Sequence, residues 1–141
     1  PYSINVHDIN GDKLLDIAIA DDEAHTMGVL LGYGNGTFSK PTTYSVHPSS
    51  PYALAIADLN NDGRIDMIVA SRGTHDIAVF FGSQNGTFQA PILYSTGASL
   101  SLSLALGDFD RDDQPDIVVV HNETNSIGVL LGYYQGFETH T

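Results

Sequence analysis

Apolar and polar residues alternate in short bursts along this chain, separated by clusters of Gly, Asn and Asp, and no burst keeps helical spacing for ten residues. In Leu100, Leu102, Leu104 and Leu106 the leucines are spaced by Ser or Ala, and YALAIA at 52–57 repeats that period of two with smaller side chains. Each predicts a half-buried first strand. Farther on come IAIA (17–20), MIVA (67–70) and IVVV (117–120), then GVLLG (28–32), AVFFG (78–82) and GVLLG (128–132). These runs are short and rich in β-branched or aromatic residues, and predict second and third strands. Asn35-Gly36 and Asn85-Gly86 are tight-turn dipeptides, so TFSKPTTYS (37–45) and TFQAPILYS (87–95) become fourth strands. Pro41 and Pro91 within them place those strands at a sheet edge, where a missing N–H does no harm.

The pattern recurs every 50 residues: Asp8, Asp58 and Asp108 align, as do Asp16, Asp66 and Asp116, Val29, Val79 and Val129, and Gly32, Gly82 and Gly132. A period of that length marks a repeat architecture. Four antiparallel strands in each of three tandem repeats (1–50, 51–100 and 101–141) read as all-β propeller blades, with a three-layer sandwich or a β-solenoid as the competing architectures. The third repeat reads YYQGFETHT where the others carry N-G-T-F, so it shifts by one residue and is expected to stop short of a full fourth strand.

Composition sharpens this picture. The 141 residues, 42% hydrophobic and 16% charged, suffice for one domain with a real core. A net charge of -12 argues against nucleic acid or an anionic membrane surface as partner. Cysteine is absent, which excludes a disulfide framework and thiolate metal sites. No apolar run reaches the roughly 18 residues of a membrane span, so no membrane insertion is expected. The chain opens at Pro1 without a signal-like segment and reads as a piece of something longer.

The surplus charge is concentrated. Between first and second strands lie DINGDKLLD (8–16), DLNNDGRID (58–66) and DFDRDDQPD (108–116), each fitting D-x-[DN]-x-D-x-x-x-D. Loop positions 1, 3, 5 and 9 carry side-chain oxygens: Asp8, Asn10, Asp12 and Asp16; Asp58, Asn60, Asp62 and Asp66; Asp108, Asp110, Asp112 and Asp116. Ten of the seventeen acids fall there. Two carboxylates about 5 Å apart repel by roughly 3 kcal/mol at an effective dielectric near 20, so a cation is expected. Alternate residues of a curled loop converge on one centre, and sets of six to eight hard oxygens suit Ca²⁺, one ion per repeat. By analogy with known loops of this pattern, position 7 adds a backbone carbonyl, from Leu14, Arg64 and Gln114. Position 6 favours glycine for a left-handed backbone, which Gly63 supplies; Asp113 is a tolerable departure from glycine and Lys13 less so, so the first site is expected to be weakest. The EF-hand is excluded, because its position-12 Glu is replaced by Ile19, Val69 and Val119 inside strands.

The acidic loop, the apolar strand after it and the GVLLGYGNGTF or AVFFGSQNGTF segment together resemble the FG-GAP and VCBS-type repeats of integrin-like propellers, over residues 1–136. The resemblance implies one blade per repeat, with calcium between first and second strands. It implies no single function, since such propellers serve in adhesion, in sugar binding and as accessories to enzymes.

Three blades cannot close a ring, so either a homodimer forms a six-bladed one or further propeller blades of a longer chain complete it. No Ser, His and Asp arrangement and no catalytic carboxylate pair stands outside the loops, so no enzyme activity is expected. His25 and His75 occupy equivalent loops, and Tyr2 and Tyr52, like Tyr44 and Tyr94, recur; buried blade packing accounts for most of these tyrosines, and an exposed pair would make a platform for sugar. Asn35, Asn85 and Asn122 lie in glycosylation sequons, the first two doubling as hairpin turns. The expected role is a non-catalytic, calcium-stabilised module outside the cell or in the periplasm, with a protein or glycan ligand. The alternatives are an accessory or scaffold domain of a larger secreted enzyme, and an engineered self-assembling repeat.

Overall fold

In a computed structural model, which describes residues 1–46, 50–97, 101–133 and 136–140, the bursts become twelve strands and no α-helix forms among them. The first sheet holds β1 (Ser3–His7), β2 (Asp16–Asp21), β3 (Thr26–Leu30) and β4 (Thr42–Ser45). The second holds β5 (Ser50–Ala57), β6 (Asp66–Arg72), β7 (Asp76–Phe80) and β8 (Ile92–Ser95). The third holds β9 (Ser101–Gly107), β10 (Asp116–His121), β11 (Ser126–Tyr133) and β12 (Gly136–His140). Each is an antiparallel meander in chain order. Strands β1, β5 and β9 lie side by side, as the innermost strands of successive propeller blades do.

The second sheet is buried on both faces, because alternate residues of a strand point to opposite sides. Met67, Val69 and Phe80 join Ala18, Ala20, Met27 and Val29 of the first sheet in one core. Ile68, Ala70, Ile77 and Val79 join Ile117, Val119 and Leu130 of the third in another. Each large side chain fully buried here contributes roughly 1.5–3 kcal/mol. At the rim, Tyr44 meets Phe80 and Phe88 edge-on at 6.3 and 5.5 Å, and Tyr94 meets Phe137 in the same way at 5.3 Å.

Two expectations are corrected. The fourth strands begin only after Pro41 and Pro91. The segments before them make single bridges, Gly32 to Phe38 and Gly82 to Phe88, because a proline has no N–H with which to continue the ladder. The third repeat does have a fourth strand: β12 pairs with β11 from Tyr133↔Gly136 to Val129↔His140, so the third blade is not left unfinished. The one-residue shift puts Phe137 where a strict 50-residue period from Phe88 would put residue 138. Leu100, part of the predicted alternation, lies outside the described residues.

The repeated histidines act through their backbones. His25 sits at φ 52° and its carbonyl accepts from Val46 N–H, while the His75 carbonyl accepts from Thr96 N–H. Both anchor the chain leaving a fourth strand.

Candidate metal centres

All three acidic loops fold in the same way, around the carboxylate at position 1. Asp8 accepts from the amides of Gly11, Asp12 and Lys13 at 2.7, 3.0 and 2.7 Å. Asp58 accepts from Asp62 and Gly63, and Asp108 from Arg111, Asp112 and Asp113. At position 5, Asp12, Asp62 and Asp112 each accept from the amide two residues on, those of Leu14, Arg64 and Gln114, at 2.8 Å. The curl needs two left-handed residues per loop. Position 6 is left-handed at Lys13, Gly63 and Asp113, and so is position 4 at Gly11, Asn61 and Arg111. Lys13 therefore adopts the backbone that Gly63 supplies freely, at a cost of about 1 kcal/mol. Position 4 was not foreseen, because its three side chains share no chemistry.

Position 9 differs from the rest. Asp16, Asp66 and Asp116 are fully buried. One oxygen of each accepts from the position-2 amide, of Ile9, Leu59 and Phe109, at 2.8, 2.8 and 2.6 Å. The other accepts from Gly32, Gly82 and Gly132 at 2.8 Å in every case. Each of these aspartates thus ties its loop to the end of the third strand. The glycines are required by space as well: a Cβ there would collide with the carbonyl oxygens of Leu15, Ile65 and Pro115. We expect Gly82→Ala to destabilise the fold by roughly 1–3 kcal/mol in urea unfolding, in line with overpacking against fixed backbone.

Carboxylates converge most fully in the third loop, where oxygens of Asp108, Asp110 and Asp116 all lie within 4.8 Å of one another. Two oxygens that share a Ca²⁺ at about 2.4 Å are at most about 4.8 Å apart, so this spacing fits one ion. The donor set is hard oxygen throughout, and a carboxylate oxygen that accepts one amide hydrogen keeps a lone pair for a metal. Burial, then the charges of Asp112 and Asp116, push the Asp110 carboxyl above its usual range. Asp66 is also raised, by burial first and by Asp62 and Asp58, against the opposing amide bonds from Gly82 and Leu59. A bound cation would reverse both shifts.

Asp62 is the exception: burial raises its pKa, but the amide and guanidinium of Arg64, with Asn60, outweigh that and hold it low. The Arg64 guanidinium sits 2.7 Å from Asp62, the one ion pair inside a loop among the described residues. In the second loop, then, a protein cation already neutralises part of the charge that the metal is expected to meet. The carbonyls of Leu14, Arg64 and Gln114 remain ligands by analogy alone.

Two further surfaces could meet a partner. A cleft of about 410 Å³ between the first two loops and the turn at 83–86 is lined by Asn10, Arg64, Gln84 and Asn85. At the opposite end of the sheets, Tyr2 and Tyr52 pair at 5.0 Å, and the Arg72 guanidinium stacks 3.9 Å above the Tyr52 ring. Tyr52 takes this place at a bulge in the β5–β6 ladder. Asn35 accepts from both the amide and the hydroxyl of Thr37, which makes its sequon a closed turn.

Four-stranded meanders arranged about adjacent inner strands, each with an acidic loop between its first two strands, define blades of the β-propeller class. A family model for the FG-GAP-like repeat matches residues 8–69 and again 58–119, most of the chain, and the protein belongs to that family. FG-GAP repeats are generally non-enzymatic. No curated protein matches the sequence.

Proposed function

We propose that this chain is a calcium-stabilised, non-catalytic propeller module that works outside the cell or in the periplasm and binds a protein or glycan. The observation that carries the reading is the threefold recurrence of one loop geometry, with oxygens at positions 1, 3, 5 and 9 of the 8–16, 58–66 and 108–116 segments. Turn formation alone calls for Asp or Asn at one or two of these places. It does not call for the carboxylates of Asp108, Asp110 and Asp116 to converge within 4.8 Å of one another, as they do in the third loop. Bound calcium would supply charge neutralisation and rigidity, while the side chains and amides of each loop hold the curl.

Compartment follows from the metal. Outside the cell calcium reaches the 10⁻⁴–10⁻³ M range that serves weak extracellular modules. A binding role is supported by the polar cleft between the first two loops and by the exposed ring of Tyr2, since aromatic faces and planar amides are the groups that sugars and peptides engage. Glycan and matrix-protein arrays probed with the calcium-loaded chain test this. We expect a binder whose signal disappears in chelator. A fully loaded, folded chain that binds nothing on either array would refute the recognition role and leave a scaffold.

A further inference from the structure

The two outer faces of the stack are apolar, and the repeat says what fits each of them. Between the first and second sheets, the second contributes Leu54, Met67, Val69 and Phe80. Fifty residues earlier stand Ile4, Ile17, Ile19 and Leu30, on the face of the first sheet that no other described sheet covers; Ile4 is 65% exposed and Val6 beside it 50%. In the same junction the first sheet contributes Ala18, Ala20, Met27 and Val29. One hundred residues later stand Val118, Val120, Ile127 and Val129, on the free face of the third sheet; Val120 is 43% exposed and Ile127 67%. The junction between the second and third sheets uses the same positions again, with Ile77 and Val79 meeting Ile117, Val119 and Leu130.

The free faces are therefore the two halves of a junction that this chain already builds twice. The geometry points to a second copy of the chain as the occupant of both, with the first sheet of each copy packing on the third sheet of the other. A propeller closes with four to eight blades, and two copies of these three sheets give six. The ring then has six blades, a two-fold axis along its channel and no apolar sheet face in water. The inference rests on the propeller reading and is independent of what the loops bind. Within the chain Met27 and Leu54 share a core, so Ile127 of one copy is expected to meet Ile4 of the other.

Light scattering after size exclusion, in calcium, tests this, with circular dichroism reporting the fold independently. Twice the chain mass of 15.1 kDa is expected. Ile127→Lys and Ile4→Glu each change a side chain that is exposed in the isolated chain, so each variant should keep its strand spectrum and run as a monomer. Mixing the two variants should restore the dimer, because the mixed ring has one Lys–Glu junction and one native junction. Val120→Lys is a second probe of the same face should Ile127→Lys fail to fold. A folded wild-type chain of monomer mass, or dimers that survive every single substitution, would overturn the proposal. Neither result would touch the calcium reading, which predicts the same loops in a monomer.

Discussion

Asp66→Ala is expected to remove about 3–5 kcal/mol of stability. Asp66 is fully buried, and its two oxygens are the acceptors for the Leu59 and Gly82 amides. Alanine would strand both N–H groups in the interior, at about 1–3 kcal/mol each. That loss is large against the 5–15 kcal/mol typical of a whole domain. Asp66→Asn keeps one acceptor and turns an NH₂ toward the other amide, so roughly half the loss is expected. The contrast with position 5 is informative. The Asp62 side chain is partly exposed and caps its own loop, so Asp62→Ala should cost little in chelator and much more in calcium. Urea unfolding of the three variants with and without calcium separates the roles. Asp66→Ala should be destabilised in both conditions, and a loss confined to calcium would mean that the buried amide bonds contribute nothing.

Chelation is the second large effect. An ion held at 100 times its dissociation constant stabilises the folded chain by about 2.7 kcal/mol, and three such sites by about 8 kcal/mol. Removing calcium should therefore lower the melting temperature by well over ten degrees, since 1 kcal/mol shifts a domain of this size by roughly 2–8 °C. Magnesium should restore less than calcium, because it demands a tighter octahedral shell and gives up its water reluctantly. The loops are not expected to contribute equally. Lys13 brings a positive charge and a strained backbone to the first loop, and Arg64 already pairs with Asp62 in the second. The third has four carboxylates at the candidate ligand positions, three of them converging within 4.8 Å, and it should fill first.

Much of this was legible in the chain. The 50-residue period, the alternation in YALAIA and the β-branched runs were enough to place the first three strands of each blade, because side-chain spacing is all that a half-buried strand requires. The oxygen-bearing side chains at positions 1, 3, 5 and 9 of each loop could be read for the same reason: the pattern depends on residue type at fixed intervals. Backbone-borne features were hidden. The left-handed residues at Gly11, Asn61 and Arg111 have no common side chain to announce them. The bonds from Gly32, Gly82 and Gly132 to the position-9 aspartates left one trace, the constant spacing of 16 residues from Asp16, Asp66 and Asp116, which has no obvious meaning until the sheet closes. The fourth strand of the last blade was missed because its turn lacks the Asn-Gly signal, although Gly136 keeps the 50-residue period and Phe137 stands one residue early.

The central claim is that each acidic loop holds one divalent cation. Calcium titration of the metal-stripped chain by isothermal calorimetry, with bound metal counted by elemental analysis, tests it most directly. Three ions per chain are predicted, falling to two when Asp108 and Asp110 are replaced together by Ala. A folded, metal-free chain that takes up no calcium at millimolar concentration would contradict it.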